Sequence, residues 1–190
     1  MEKSELFFRY YKENLVFVDA KPNRAHVALA RLEKAGFLSA VVTQNVDGLH
    51  QMAGSVNVLE LHGSNYRQYC MSCGGRYSLD YIFDSKNCVG VVPKCRECGG
   101  VVRPDVVLYE EQLDEKVVRS AILAISAADC LIVGGTSLVV YPAAGFLRYF
   151  KGRKVVVINK DKTSYDGYAD LVIRESIGTV FSGVIEQLNL

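Results

Sequence analysis

Two pairs of cysteines carry the clearest chemistry in this chain. Cys70-Met71-Ser72-Cys73 and Cys95-Arg96-Glu97-Cys98 are C-x-x-C knuckles separated by 21 residues, slightly longer than the usual template for structural zinc. Each tight turn supplies two thiolates, and glycines at 74, 75, 99 and 100 allow the backbone to bend sharply behind them. The pattern predicts one zinc ion held by Cys70, Cys73, Cys95 and Cys98. Four protein ligands leave no open position for water, so this metal would organise a fold and perform no chemistry itself. A redox dithiol is the competing reading. Cys88 and Cys130 fall outside the pattern, the first between the knuckles and the second in an apolar run where cysteine acts as a small hydrophobe.

A second group of residues lies where apolar runs end. Thr43-Gln44-Asn45-Val46-Asp47-Gly48-Leu49-His50 follows Ser39-Ala40-Val41-Val42. Asp47-Gly48 is a common turn signal, so one reading of this stretch is a hairpin. The other is a ligand site, because open parallel sheets bind ligands at the carboxyl ends of their strands. Gly134-Gly135-Thr136-Ser137 and Asn159-Lys160-Asp161 also follow apolar runs. Glycines at such a place let a backbone approach a pyrophosphate, while hydroxyls and amides can hold ribose hydroxyls. Each loop alone could be an ordinary turn, but their joint placement points to a nucleotide. His62 ends the run Val56 to Leu61 and precedes Gly63. An imidazole beside a bound ribose could take a hydroxyl proton at neutral pH, although a lone histidine there can also be purely structural. His26 and His50 have weaker claims and are read as structural.

The elements that must position these residues follow from hydrophobic periodicity. Ala25, Leu29, Leu32 and Ala35 recur at helical spacing between Asn23 and Gly36. Val41-Val42 and Val56 to Leu61 read as short buried strands, and Val101 to Tyr109 as an extended segment. Asp114 can cap a helix reaching about Ala128, ahead of the strand Cys130-Leu131-Ile132-Val133. A helix from Ala143 to about Phe150, a strand from Lys154 to Ile158, a short strand at Leu171-Val172-Ile173 and a helix from about Ser176 to Leu188 complete the chain. Buried strands alternating with helices predict an α/β fold, a Rossmann-like parallel sheet with helices on both faces. The texture between Cys70 and Cys98 changes to glycine, cysteine and polar residues, which marks a separate zinc-ribbon unit. The expected domains are residues 1–65 with 101–190 for nucleotide binding, residues 1–20 being the end of a helical small-domain module, and 66–100 for zinc.

Composition narrows the partners. Of 190 residues, 49% are hydrophobic and 23% charged, and the formal net charge is +1, so no strong field points to nucleic acid or a lipid surface. Met1-Glu2-Lys3-Ser4 does not lead into a signal-peptide core, and no apolar run approaches the length that spans a bilayer. A cytoplasmic location is expected, where paired cysteines serve metals more readily than disulfides.

Taken in order, TQNVDGLH at 43–50, LHGS at 61–64, the two knuckles, RPDVV at 103–107, GTSLVVYPAA at 135–144 and VVIN at 156–159 resemble the sirtuins. These are Sir2-type NAD-dependent protein deacylases with a Rossmann-type domain and a zinc-bearing small domain, and the similarity runs from about Leu6 to the C-terminus. The resemblance implies NAD as co-substrate, one structural zinc, and an acyl-lysine protein or peptide as partner. The acyl group would pass to ADP-ribose with release of nicotinamide. By the same resemblance His62 is the general base. Asn45 and Asp47 match positions that hold the nicotinamide ribose and carboxamide, and Gln44 matches a ribose contact. Gly135, Thr136 and Ser137 match the phosphate and adenosine-ribose loop, Asn159 and Lys160 the adenine side, and Ile177 an adenine wall. Val106, Val107, Leu108 and Tyr109, with Glu110 and Glu111 after them, match the segment that pairs with substrate peptide.

Three departures from that pattern carry expectations of their own. Glu110 stands where the family usually has glycine, and Leu108 where it has an aromatic residue. Phe8 and Tyr11 occupy positions that hold a Tyr and an Arg in members removing acidic acyl groups, so a neutral acyl group such as acetyl is expected here. The strand and glycine-rich loop with which sirtuins begin would precede Glu5 and are not in this sequence, so the sheet is expected to lack its first strand. Two functions therefore stand open: an NAD-dependent deacetylase, or an inactive remnant serving as a zinc-stabilised binding module. A zinc-ribbon nucleic-acid binder is disfavoured because the chain has no basic stripe.

Overall fold

The computed structural model describes residues 2–139 and 142–190, so Val140 and Tyr141 of the GTSLVVYPAA motif lie outside the described residues. In chain order the elements are α1 (Glu2–Asn14), α2 (Arg24–Lys34), β1 (Val41–Thr43), α3 (Leu49–Met52), β2 (Val58–Glu60), β3 (Gly63–Cys70), β4 (Arg76–Ser78), α4 (Leu79–Phe83), β5 (Cys88–Val89), β6 (Val92–Pro93), β7 (Val102–Val106), α5 (Glu115–Ala127), β8 (Cys130–Gly134), β9 (Lys154–Ile158), β10 (Leu171–Ile173) and α6 (Ile177–Gln187). Three short 3-10 helices lie among them, at Ser85–Asn87, Ala143–Tyr149 and Asp166–Tyr168. The chain divides into two compact units, one of residues 2–20, Asn45–Gly48 and His62–Gln112, the other of Lys21–Gln44, Leu49–Leu61 and Leu113–Leu190.

The first unit is built on the antiparallel sheet β4-β3-β7 and the hairpin β5-β6. Its core gathers Tyr11, Leu79, Tyr81, Ile82 and Val102 with the buried cysteines Cys70 and Cys95. The strand β3 has no clear signature in the sequence. Its register shifts between Ser64 and Gln68 where it meets β7, so its buried residues do not alternate. β7 is shorter than the extended run expected over 101–109, because the chain turns after Val106 and the Glu111 N–H bonds to Leu108 O at 3.1 Å.

The second unit carries parallel strands with helices on both faces, as the periodicity requires. α2 begins at Asn23, whose side chain accepts from the Ala25 and His26 N–H groups while His26 Nδ1 accepts from the Asn23 N–H. The weak histidine of the sequence is thus half of a capping box. Asp114 caps α5 by accepting from the Lys116 and Val117 N–H groups at 2.8 and 3.1 Å. On one face α2 and α6 bury Ala25, Ala28, Leu32, Phe181 and Ile185 against Ile158. Each large side chain buried there contributes about 1.5–3 kcal/mol. On the other, α5 and the 3-10 helix bury Leu61, Ala121, Ile125 and Phe146. The expected helix over 143–150 is a 3-10 helix, with the three-residue hydrogen bonds Gly145 N to Pro142 O and Phe150 N to Leu147 O. The strand expected from Val56 begins at Val58, since the N–H groups of Val56 and Asn57 are both taken by the Glu33 carboxylate.

These parallel strands form two sheets, β1-β2 and β10-β9-β8. Val42 and Leu59 of one and Leu131 of the other pack on the same hydrophobic cluster. The parallel sheet is therefore divided between β1 and β8, and among the described residues no strand pairs with the second edge of either. Ile132 on β8 is 44% exposed. Cys130, expected to be buried, is exposed at the start of the same strand.

Candidate functional site

In the second unit the polar residues gather where parallel strands end. β8 finishes at Gly134, and the Gly135 N–H bonds across to Ile158 O at 3.1 Å, so the Gly135 loop and the end of β9 are held together. Gly135 has φ +62° with open space where a side chain would be, which leaves its backbone accessible. A Cβ on Gly134 would lie 2.4 Å from Ile177 Cδ1, so Ile177, the first residue of α6, closes over that turn. Thr136 Oγ1 accepts from the Leu138 N–H at 3.2 Å and fixes the loop. Asn159 N bonds to Ile173 O at 3.1 Å, and Arg174 donates to Asn159 O at 3.1 Å and Asp161 O at 2.8 Å. Gly135, Thr136, Ser137, Asn159 and Ile177 thus come together at the carboxyl edge of β8 and β9, with Lys160 exposed next to Asn159. Gln44 follows the end of β1, whose last residue Thr43 accepts from the Leu61 N–H at 2.9 Å.

In the first unit His62 is half-buried, and its carbonyl accepts from the Val107 N–H at 3.0 Å. Gly63 has φ +80°, and a Cβ there would fall 1.9 Å from Asp105 O. Only glycine allows β7 to approach so closely at the residue after His62. The loop Asn45–Gly48 is fastened by Asn65, whose N–H donates to Val46 O at 2.8 Å. Gly48 has φ +65°, and a Cβ there would meet the Tyr66 ring at 2.8 Å. The polar stretch is therefore no hairpin: it leaves a parallel strand and is tied to the segment following His62. Asn65 was invisible as a functional residue in the sequence, since a lone Asn in LHGSN carries no spacing signal.

The four knuckle cysteines form one cluster with all sulfurs within 4.8 Å of one another. The Cys70 and Cys98 sulfurs are 3.5 Å apart, and those of Cys73 and Cys95 are 3.6 Å apart. Tetrahedral zinc with bonds near 2.3 Å sets its sulfurs about 3.8 Å apart, so the cluster fits that ion. The Tyr77 hydroxyl lies 3.0 Å from Cys95 Sγ, and its hydrogen bond pulls the thiol down to about 6, which favours the thiolate a metal needs.

A parallel α/β unit with glycine and amide loops at its strand ends, in one chain with a four-cysteine ribbon, defines a nucleotide-binding protein with a structural zinc site. The Sir2 family model matches residues 1–142. NAD-dependent protein deacetylases of Clostridium acetobutylicum and Clostridium perfringens are each 59% identical over 96% of this chain, which covers 73% of their length. A Sir2 structure with a p53 peptide and NAD+ superposes with a TM-score of 0.90 and 39% identity over 99% of this chain and 79% of that one. A second, of Sir2Tm bound to a propionylated peptide, gives 0.92 and 38% over 99% and 80%. The chain belongs to the Sir2 family, the sirtuins.

Proposed function

We propose that this chain is an NAD-dependent protein-lysine deacetylase, moving the acyl group of an acyl-lysine to ADP-ribose and releasing nicotinamide. The observation that carries the reading is the arrangement around His62, with the Asn45–Gly48 loop tied by Asn65 to the segment after it and Val107 bonded to its carbonyl. His62 would accept the proton of a ribose hydroxyl after the acyl oxygen has displaced nicotinamide, freeing that hydroxyl to take the acyl group. Asn45 and Asp47 would hold the nicotinamide ribose and carboxamide, and Gln44 a further ribose contact, steadying charge as it leaves the nicotinamide. Gly135, Thr136 and Ser137 would take the phosphates and adenosine ribose, Asn159 and Lys160 the adenine side, and Ile177 the face of the adenine.

The segment Val106 to Tyr109 would pair with substrate by main-chain hydrogen bonds. Phe8 and Tyr11 are each 2% exposed, and the Tyr11 hydroxyl donates to Asn65 Oδ1 at 2.9 Å, so neither offers a cation to an acidic acyl group. That supports acetyl. Residues 66–100 would be the zinc-bearing domain, and residues 1–65 with 101–190 the NAD-binding one. Among the described residues no helix is long and apolar enough to cross a membrane. Four clustered thiols and bacterial relatives support a cytoplasmic location.

The divided parallel sheet favours a second reading, a zinc-stabilised binding module without turnover. Nicotinamide release by the 190-residue protein from NAD and an acetyl-lysine peptide separates the two. Deacetylation that disappears in His62→Ala supports the enzyme and the base; full activity in that variant removes the assigned role. No release by the unaltered chain leaves the binding module.

A further inference from the structure

Successive residues of a strand turn their N–H and C=O groups to opposite edges. Val107 faces β3 through its bond to His62 O, so Val106 at the end of β7 faces the outer edge, and Leu108 follows in the turn beyond it. Both are held there by one ion pair. Arg103 Nη2 donates to Val106 O at 2.8 Å, and Glu111 Oε2 accepts from the Leu108 N–H at 2.9 Å. The two side chains meet as a fork, Nη1 to Oε1 at 2.5 Å and Nη2 to Oε2 at 3.0 Å. Arg103 Nε donates to Pro104 O at 3.3 Å, and only 12% of the Arg103 side chain is exposed. Leu108 borders an open cavity of about 210 Å³ with Phe7, Phe8 and Met71, so apolar packing on that side is thin. The exposed residues Tyr109 and Glu110 form the tip of the turn, Glu110 in the left-handed region at φ +72°.

We propose that Arg103 and Glu111 are positioning residues for the acyl-peptide, a clamp that fixes the outer edge of Val106–Leu108 and the turn to Glu111 in one register against His62. This rests on the proposal that the segment receives substrate. With Val106 O and both main-chain groups of Leu108 already taken, the pairing proposed for Val106–Tyr109 narrows to its far end, and an incoming peptide is directed toward the tip at Tyr109 and Glu110, while Val107 stays bonded to the histidine carbonyl. A bidentate fork is needed because two main-chain groups on either side of Val107 must be held at once, which a lysine cannot do.

Steady-state kinetics of Arg103→Lys and Glu111→Gln test this with an acetyl-lysine peptide and NAD as varied substrates. The expected result is a peptide KM raised roughly tenfold in each, with the KM for NAD changed less than about twofold. An unchanged peptide KM, or both KM values rising together, overturns the clamp. Amide hydrogen exchange on the unliganded protein decides the point without turnover. Leu108 should be protected in the native chain and exchange freely in Glu111→Ala, with the zinc-knuckle amides unmoved. Equal Leu108 exchange overturns the clamp; protected Leu108 in a chain that binds no peptide keeps the clamp and removes the substrate assignment.

Discussion

Asn65 donates its main-chain N–H to Val46 O at 2.8 Å, so a residue just past His62 holds the loop carrying Asn45 and Asp47. Its side chain reaches the other way. Oδ1 accepts from the Tyr11 hydroxyl at 2.9 Å, and Nδ2 donates to Leu15 O at 2.8 Å. One amide, 5% exposed, thereby joins the loop, β3 and the end of α1. Burial pushes the Tyr11 hydroxyl up to about 12, so it remains a donor across the working pH range.

Asn65→Ala leaves that hydroxyl and the Leu15 carbonyl without their partner. A loss of about 1–3 kcal/mol follows, against about 1 kcal/mol for Tyr11→Phe, which removes the hydroxyl that donates to Asn65 Oδ1. Urea unfolding with unchanged slope measures both. Equal stability of Asn65→Ala and the native protein would show that the amide does not bear on this junction.

Glycines with positive φ fall into two groups by what surrounds them. At Gly63 an added Cβ meets Asp105 O at 1.9 Å, whereas at Gly74 and Gly99 it meets nothing within 4 Å. Gly74→Ala and Gly99→Ala therefore carry only the conformational cost, about 1–2 kcal/mol. Gly63→Ala must also push β7 away from β3 beside His62. It is expected to lose deacetylation nearly completely and to cost more than the other two in urea melts.

Zinc content separates the cysteines. Cys98→Ser should lower bound zinc from one equivalent to near zero, while Cys88→Ser and Cys130→Ser retain it. Because Cys70 and Cys95 are core residues, removing the metal with a chelator should also loosen the packing of Tyr11, Tyr81 and Ile82, read as a lower melting temperature and altered tyrosine fluorescence. Full zinc in Cys98→Ser would remove that residue from the ligand set.

Much of this was legible in the sequence because the signals were local. Cysteine spacing predicted a cluster that the structure assembles, and periodicity predicted α2, α5 and α6 with a cap at Asp114. What the sequence hid depends on distant partners. β3 lacks alternation because its register shifts against β7, and Val56 leaves the strand because Glu33, 23 residues earlier, takes its N–H. The roles of Asn65, Arg103 and Glu111 arise from residues that meet only after folding. The family resemblance supplied the order of motifs.

The loop after β9, proposed to hold the adenine side, is expected to make ADP-ribose binding sensitive to acid. Asp166 accepts from the Thr163 hydroxyl at 2.8 Å and from the Thr163 N–H at 3.2 Å, and it pairs with Arg174. The threonine hydroxyl, with help from the Thr163 N–H and the guanidinium, holds the Asp166 carboxyl below its ordinary value of 3.8. A carboxyl with a lower value in the folded state binds more protons when unfolded, so its contribution is fully present above the ordinary carboxylate range. It is lost as pH falls through the folded value. Arg174 also holds Asn159 O and Asp161 O, so protonating Asp166 frees the guanidinium that fixes the proposed adenine side. Asp166→Asn should therefore flatten the acid limb of the unfolding profile below about pH 4 while weakening ADP-ribose binding severalfold at neutral pH. Arg174→Met should weaken ADP-ribose binding at least as much, since it loses all three acceptors at once. Calorimetric titration at neutral pH and circular dichroism across the acid range check the two effects separately. If both variants bind ADP-ribose like the native protein, the Asn159–Asp161 loop is not part of the nucleotide site.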